Sequence, residues 1–213
     1  MEHLSDIKIA FFGDSIINGK GVPIHKTFSC LLSKQLEDEY KKEVNIVLTM
    51  MSRNGDTTRD ALEKIHYFFN TSYDIVVVQF GMNDCNKWAT EKGFHRVFKT
   101  TFMANFMEIL TRLHGCGIGS IFACTNHSST KIKYEKDNSE YNKIIREVCS
   151  RCSVNVIDME KKVEISCLYD GDKGKHVLSD GVHLSEYGHL LYFNAIKPYL
   201  DWEIKKILNK GKV

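Results

Sequence analysis

Ile7-Lys-Ile-Ala-Phe-Phe-Gly-Asp-Ser15 is the stretch from which the fold can be read. Residues 7 to 12 are mostly apolar and rich in β-branched and aromatic side chains, as a strand covered on both faces must be. Gly13-Asp14-Ser15 then reads as a turn at the strand's end. A serine delivered by a strand end stands at the edge of a sheet, where a hydroxyl nucleophile can meet a ligand. Gly-Asp-Ser is also a common turn tripeptide, so its meaning depends on the rest of the chain.

Working outward, similar short runs recur at Val44 to Met50, Ile75 to Phe80, Ile118 to Cys124 and Val154 to Ile157. Helical spacing separates them over Phe28 to Tyr40, Thr58 to Phe69, His95 to His114 and Tyr134 to Arg151, with a last helix over about Ser185 to Leu208. Strand alternating with helix predicts an α/β fold: a mostly parallel sheet joined by right-handed crossovers, with helices on both faces. Thr57 or Thr58 and Ser185 supply helix-start signals. Pro23 and Pro198 are the only prolines, and no repeat, low-complexity tract or linker divides the chain, so one domain over 1–213 is expected.

Polar residues gather where these strands end. Ser15 follows the first, Gly55 the second, Asn83 the third, and Asn126-His127 the fourth. Four blocks stand in order: Gly13-Asp14-Ser15, Arg53-Asn54-Gly55-Asp56-Thr57, Phe80-Gly81-Met82-Asn83-Asp84 and Asp180-Gly-Val-His183. On these blocks, nearly the whole chain resembles an SGNH (GDSL-type) hydrolase. The resemblance implies a three-layer α/β/α fold with a five-stranded parallel sheet of flavodoxin-like order 2-1-3-4-5.

A serine hydroxyl is a weak nucleophile at neutral pH and needs an adjacent base held in the right tautomer. His183 is the expected base, and Asp180, three residues earlier, is its expected partner. The resemblance implies an oxyanion hole built from the backbone N–H of Ser15, the backbone N–H of Gly55 and the side-chain amide of Asn83. Glycine at 55 lets backbone approach a ligand closely, and a neutral amide at 83 donates without titrating. Asp14, Asp56 and Asp84 read as loop-organising carboxylates. The expected reaction is hydrolysis of a carboxylic ester through an acyl-enzyme on Ser15.

The motifs do not name the alcohol. Loops expected around the site carry Asn18, Lys20, Arg53, Asn86, Lys87, Trp88, Asn126 and His127, a set suited to a polar, hydroxylated or anionic substrate rather than a long acyl chain. Arg53, Trp88, Asn126 and His127 are the substrate-binding candidates, and a short-chain or O-acetyl ester of a carbohydrate-like molecule is the preferred substrate. Trp88 reads equally well as a platform for a sugar ring or as core packing, and Arg53 as a surface charge. A lysophospholipase or thioesterase, an O-acyltransferase using the same acyl-enzyme, and a non-catalytic flavodoxin-like binding module stay open.

A net charge of +2, with 26% charged and 43% hydrophobic residues, gives no reason to expect nucleic acid or an anionic membrane as partner. Seven scattered cysteines, odd in number, read as free thiols in a reducing compartment, and Cys149-Ser-Arg-Cys152 lacks the second pair a metal site needs. The acidic start of the chain and its short apolar run favour a cytoplasmic protein without a membrane-spanning segment. No Gly-x-Gly-x-x-Gly or Walker-type loop implies a nucleotide cofactor, no ligand spacing implies a metal, and no Gly-x-Ser-x-Gly elbow implies an α/β-hydrolase scaffold.

Overall fold

Successive residues of a strand point to opposite faces, and along β1 (Asp6–Gly13) this sends Ile7, Ile9 and Phe11 into one apolar cluster and Ala10 and Phe12 into another. In the computed structural model, which describes residues 4–87, 92–172 and 174–210, β1 is the second strand of a five-stranded sheet. The others are β2 (Asn45–Ser52), β3 (Ile75–Gln79), β4 (Ser120–Cys124) and β5 (Asn155–Ile157), in the order β2-β1-β3-β4-β5. Every neighbouring pair is parallel, and Ile9 stands opposite Leu48 on one side and Ile75 on the other. The expected strand order and α/β/α class are therefore both present.

Two helical layers cover the sheet. Helices α1 (Phe28–Tyr40) and α6 (Glu186–Lys210) bury Phe28, Leu32, Tyr192 and Ile196 against the Ile9 face. Helices α2 (Thr58–Lys64), α3 (Lys99–Gly115) and α4 (Ile132–Arg151) bury Ala61, Phe106, Ile109 and Tyr141 against the Phe12 face. Each fully buried Phe or Ile stabilises the fold by roughly 1.5–3 kcal/mol. The loops at the carboxyl ends of the strands thus stand on a rigid support.

The helix boundaries depart from the periodicity in informative ways. Residues 65–68 continue α2 as a 3-10 turn, and α3 starts at Lys99 rather than His95. Tertiary bonds explain the second shift: the N–H groups of Arg96 and Val97 donate to the carbonyls of Asn86 and Asp84, which holds this segment against the loop after β3. Pro198 lies inside α6, where the packing of Ala195, Ile196 and Leu200 on the sheet carries the helix past the missing N–H.

A sixth helix, α5 (Met159–Asp170), has no counterpart among the expected elements. Its start is capped by Asp158, whose Oδ1 accepts the Lys161 N–H at 3.1 Å, and Gly171 ends it at φ 69°. Val163 is buried while Ile165, Leu168 and Tyr169 are exposed, so no single apolar stripe announces the helix. No helix among the described residues is long and apolar enough to cross a membrane.

Candidate active site

In this strand order the connections after β1 and β3 diverge to opposite sides, which opens a crevice at the carboxyl edge between them. Ser15 begins a tight turn there, with the Asn18 N–H donating to the Asp14 carbonyl at 3.0 Å and the Lys20 N–H to the Ser15 carbonyl at 3.1 Å. Asp14, fully buried, accepts the Ile16 N–H through Oδ1 at 2.9 Å and the Asn83 amide through Oδ2 at 3.1 Å. Burial, the main cause, pushes its carboxyl up to about 7, with the nearby Asp84 and Asp56 charges adding to the rise.

His183 arrives from the far end of the chain, 168 residues away, and places Nε2 3.0 Å from Ser15 Oγ. Its Nδ1 lies 2.5 Å from Asp180 Oδ2, while Asp180 Oδ1 accepts the N–H groups of Val182 and His183 at 2.9 Å each. Burial works to raise the Asp180 carboxyl, but these three bonds outweigh it and hold the group down at about 2. An ionised carboxylate only accepts, so Nδ1 carries the ring proton and Nε2 turns its lone pair toward the serine hydroxyl.

The turn that bears this pair is tied down by the loop after β4. Gly181 O accepts from Ser129 Oγ at 2.7 Å and from the Thr130 N–H at 3.1 Å. His127 Nε2 donates to the Val182 carbonyl at 2.7 Å, and the Tyr192 hydroxyl donates to His127 Nδ1 at 2.9 Å. Burial, assisted by the neighbouring His176, drives the His127 imidazole down to about 3, so it stays neutral.

Gly55 has φ +86°, and a Cβ there would meet nothing within 4 Å. Within the protein the demand for glycine is therefore one of backbone conformation rather than of crowding. Among the described residues neither the Ser15 N–H nor the Gly55 N–H has a protein acceptor. The Asn83 amide nitrogen is engaged twice, with Asp14 Oδ2 at 3.1 Å and with the Asp56 carbonyl at 3.0 Å. Below it, Asp84 Oδ1 accepts the Thr58 N–H and hydroxyl at 2.9 and 2.6 Å, joining the loop after β3 to the start of α2.

Ser15, Asp180, His183, Gly55 and Asn83 all line one cleft of about 320 Å³. Three of the four substrate-binding candidates do not join them. Asn126 is fully buried and bonded to Gln79 and Asn142, and His127 is fully buried beneath the Val182 carbonyl. Arg53 is exposed but spends its charge on Asp56 of its own loop and on Asp60 in the first turn of α2. Trp88 lies outside the described residues.

Sequence reasoning did not single out Lys131 and Tyr134, which line the cleft from the start of α4, or Arg96, whose guanidinium donates to the Gly55 carbonyl at 2.8 Å. The spacing of 131 and 134 at a helix start beyond the fourth strand was the available signal for the first two. Among the described residues no group of three His, Cys, Asp or Glu is placed to hold a metal ion.

A family model described as "GDSL-like Lipase/Acylhydrolase family" matches residues 11–191. Similar solved structures include a lipase/acylhydrolase from Enterococcus faecalis, 23% identical, with a TM-score of 0.74 over 91% of this chain and 95% of that one. A variant of an acetyl xylan esterase from Geobacillus stearothermophilus is 17% identical, with a TM-score of 0.73 over 92% and 95% of the two chains. At these identities the likeness is one of fold. No curated protein gives a significant match.

Proposed function

The chain belongs to the GDSL-like lipase/acylhydrolase family, and on that premise we propose that it is a serine esterase that removes a short acyl group from a polar, carbohydrate-like alcohol. The observation that carries the reading is the continuous line from Asp180 Oδ2 through His183 to Ser15 Oγ, at 2.5 and 3.0 Å.

His183 Nε2 takes the serine proton as Oγ attacks the ester carbonyl, and Asp180 stabilises the imidazolium that forms. The developing oxyanion accepts the unpartnered N–H groups of Ser15 and Gly55. Asn83 contributes by sharing an amide hydrogen already directed at Asp14 or Asp56, so its part is smaller than that of a free donor. Collapse of the tetrahedral adduct expels the alcohol, which receives its proton from His183. Water then attacks the acyl-enzyme with His183 again as base, releasing the carboxylic acid.

Asn54, Asn83, Asn86 and Lys131 around the cleft support a polar substrate over a long acyl chain. The acetyl xylan esterase named above is similar in fold, in keeping with this preference. The test compares p-nitrophenyl acetate, butyrate and octanoate with the wild type and Ser15→Ala. Turnover should decline with chain length and fall by several orders of magnitude in the variant. A preference for octanoate would redirect the substrate toward lipids or thioesters, and retained turnover in Ser15→Ala would remove the serine from the mechanism. Product analysis with an added alcohol separates hydrolysis from acyl transfer.

A further inference from the structure

We propose that the ester cleaved at Ser15 carries an anionic group, a carboxylate or a phosphate, held beside the scissile bond by Lys20 and Lys131. This rests on the reading of Ser15 as nucleophile and narrows it from polar substrates to charged ones. Both lysines line the cleft that holds Ser15 and His183, and both are exposed. Among the described residues neither ammonium has a carboxylate partner. Lys64, Lys87, Lys99, Lys197 and Lys206, by contrast, each pair with an acid.

The two cations come from different loops and are tied to the segments that carry the reacting groups. Lys20 closes the turn that Ser15 opens, through its N–H to the Ser15 carbonyl at 3.1 Å. Lys131 is anchored by its N–H to Ser129 Oγ at 3.1 Å, and a Cβ on Gly181 would come 3.2 Å from its Cγ. Its stem is thus packed on the turn that carries Asp180 and His183.

No acid within the cleft neutralises them. Asp180 is the lone carboxylate among the described lining residues, and His183 and two backbone N–H groups occupy its oxygens. In the adjoining cleft, Asp137 pairs with Lys87 and faces His95. With two unpaired ammonium groups against one carboxylate, the recess concentrates anionic ligands and orients them toward the ammonium groups. A neutral ester would leave both charges facing water.

The experiment measures kcat/KM for two matched pairs at low and high salt. 4-Nitrophenyl hydrogen succinate against 4-nitrophenyl butyrate places the charge on the acyl side, and 3-acetoxybenzoate against its methyl ester places it on the alcohol side. The expected result is a preference of about tenfold for the anion in at least one pair, reduced by salt. In Lys20→Met/Lys131→Met the anionic-to-neutral ratio should fall toward one. Equal rates within both pairs, or a preference that survives the double substitution, would overturn the inference while leaving the esterase intact. In the Ser15→Ala background, calorimetric titration with the two anionic esters reads recognition without turnover. Binding weakened about tenfold by the lysine substitutions supports the proposal, and binding that ignores them refutes it. Failure of hydrolysis in every ester would count against the nucleophile alone.

Discussion

Asp14 Oδ2 accepts the Asn83 amide at 3.1 Å, so the carboxylate beside the candidate nucleophile orients a donor on the loop after β3. Asp14→Asn replaces one acceptor oxygen with a second N–H₂ that cannot receive the Asn83 hydrogen. We expect kcat to fall roughly tenfold with KM little changed, as for an interaction made in the transition state. Stability should move with pH. Burial raises the folded Asp14 carboxyl to about 7, above the unfolded value near 3.9, so between these limits the folded state holds the extra proton. The wild type therefore loses stability as pH rises through this window, by up to about 1.4 kcal/mol per unit. Urea unfolding at pH 5 and 8 should show the variant gaining on the wild type at the higher pH. An unchanged difference would mean that Asp14 does not titrate in this range.

Arg96 donates to the Gly55 carbonyl at 2.8 Å, while its own N–H is fixed to the Asn86 carbonyl at 2.9 Å. It thereby links the loop after β2 to the loop after β3. Arg96→Met should release the Gly55 loop and lower kcat about tenfold, a loss near 1.4 kcal/mol of transition-state stabilisation. Arg96→Lys should recover part of it. A change confined to KM in steady-state kinetics would assign Arg96 to substrate binding instead.

His127 is fully buried and bonds the carbonyl of Val182, the residue before His183. His127→Ala strands that carbonyl and the Tyr192 hydroxyl and opens a cavity, a destabilisation of about 2–4 kcal/mol. Burial holds the folded imidazole down at about 3 against an unfolded value near 6.5, so below pH 6.5 only the unfolded chain takes the proton. The wild type's stability from this group is complete above pH 6.5 and declines as pH falls toward 3. Denaturation curves at pH 7 and 5 should therefore converge, with the variant's disadvantage smaller at pH 5. Parallel curves would contradict a neutral, buried His127.

Gly55→Ala separates conformation from space. At φ +86° an alanine is strained by about 1–2 kcal/mol although its methyl would touch no protein atom. The N–H should turn away from the cleft and turnover should drop by about a factor of ten or more. Thermal unfolding together with kcat would show both effects, and wild-type turnover in a destabilised variant would remove the Gly55 N–H from the oxyanion site.

Sequence alone determined the sheet and the edge at which its polar loops gather. Apolar runs such as Ile75 to Phe80 and helical spacing such as Phe28 to Tyr40 are local patterns, and a strand's end is where its loop must begin. Helix α5 escaped because its apolar residues are divided between core and solvent. Which side chains at that edge face the cleft was decided by tertiary structure. Asn126 and His127 follow a strand just as Ser15 does, yet bonds to Asn142 and Val182 turn them inward, while Lys131 lines the cleft. Arg96 acts on a carbonyl 41 residues away, and His183 on a hydroxyl 168 residues away. Such contacts depend on how loops from distant segments are brought together, and periodicity within one segment carries no record of that distance.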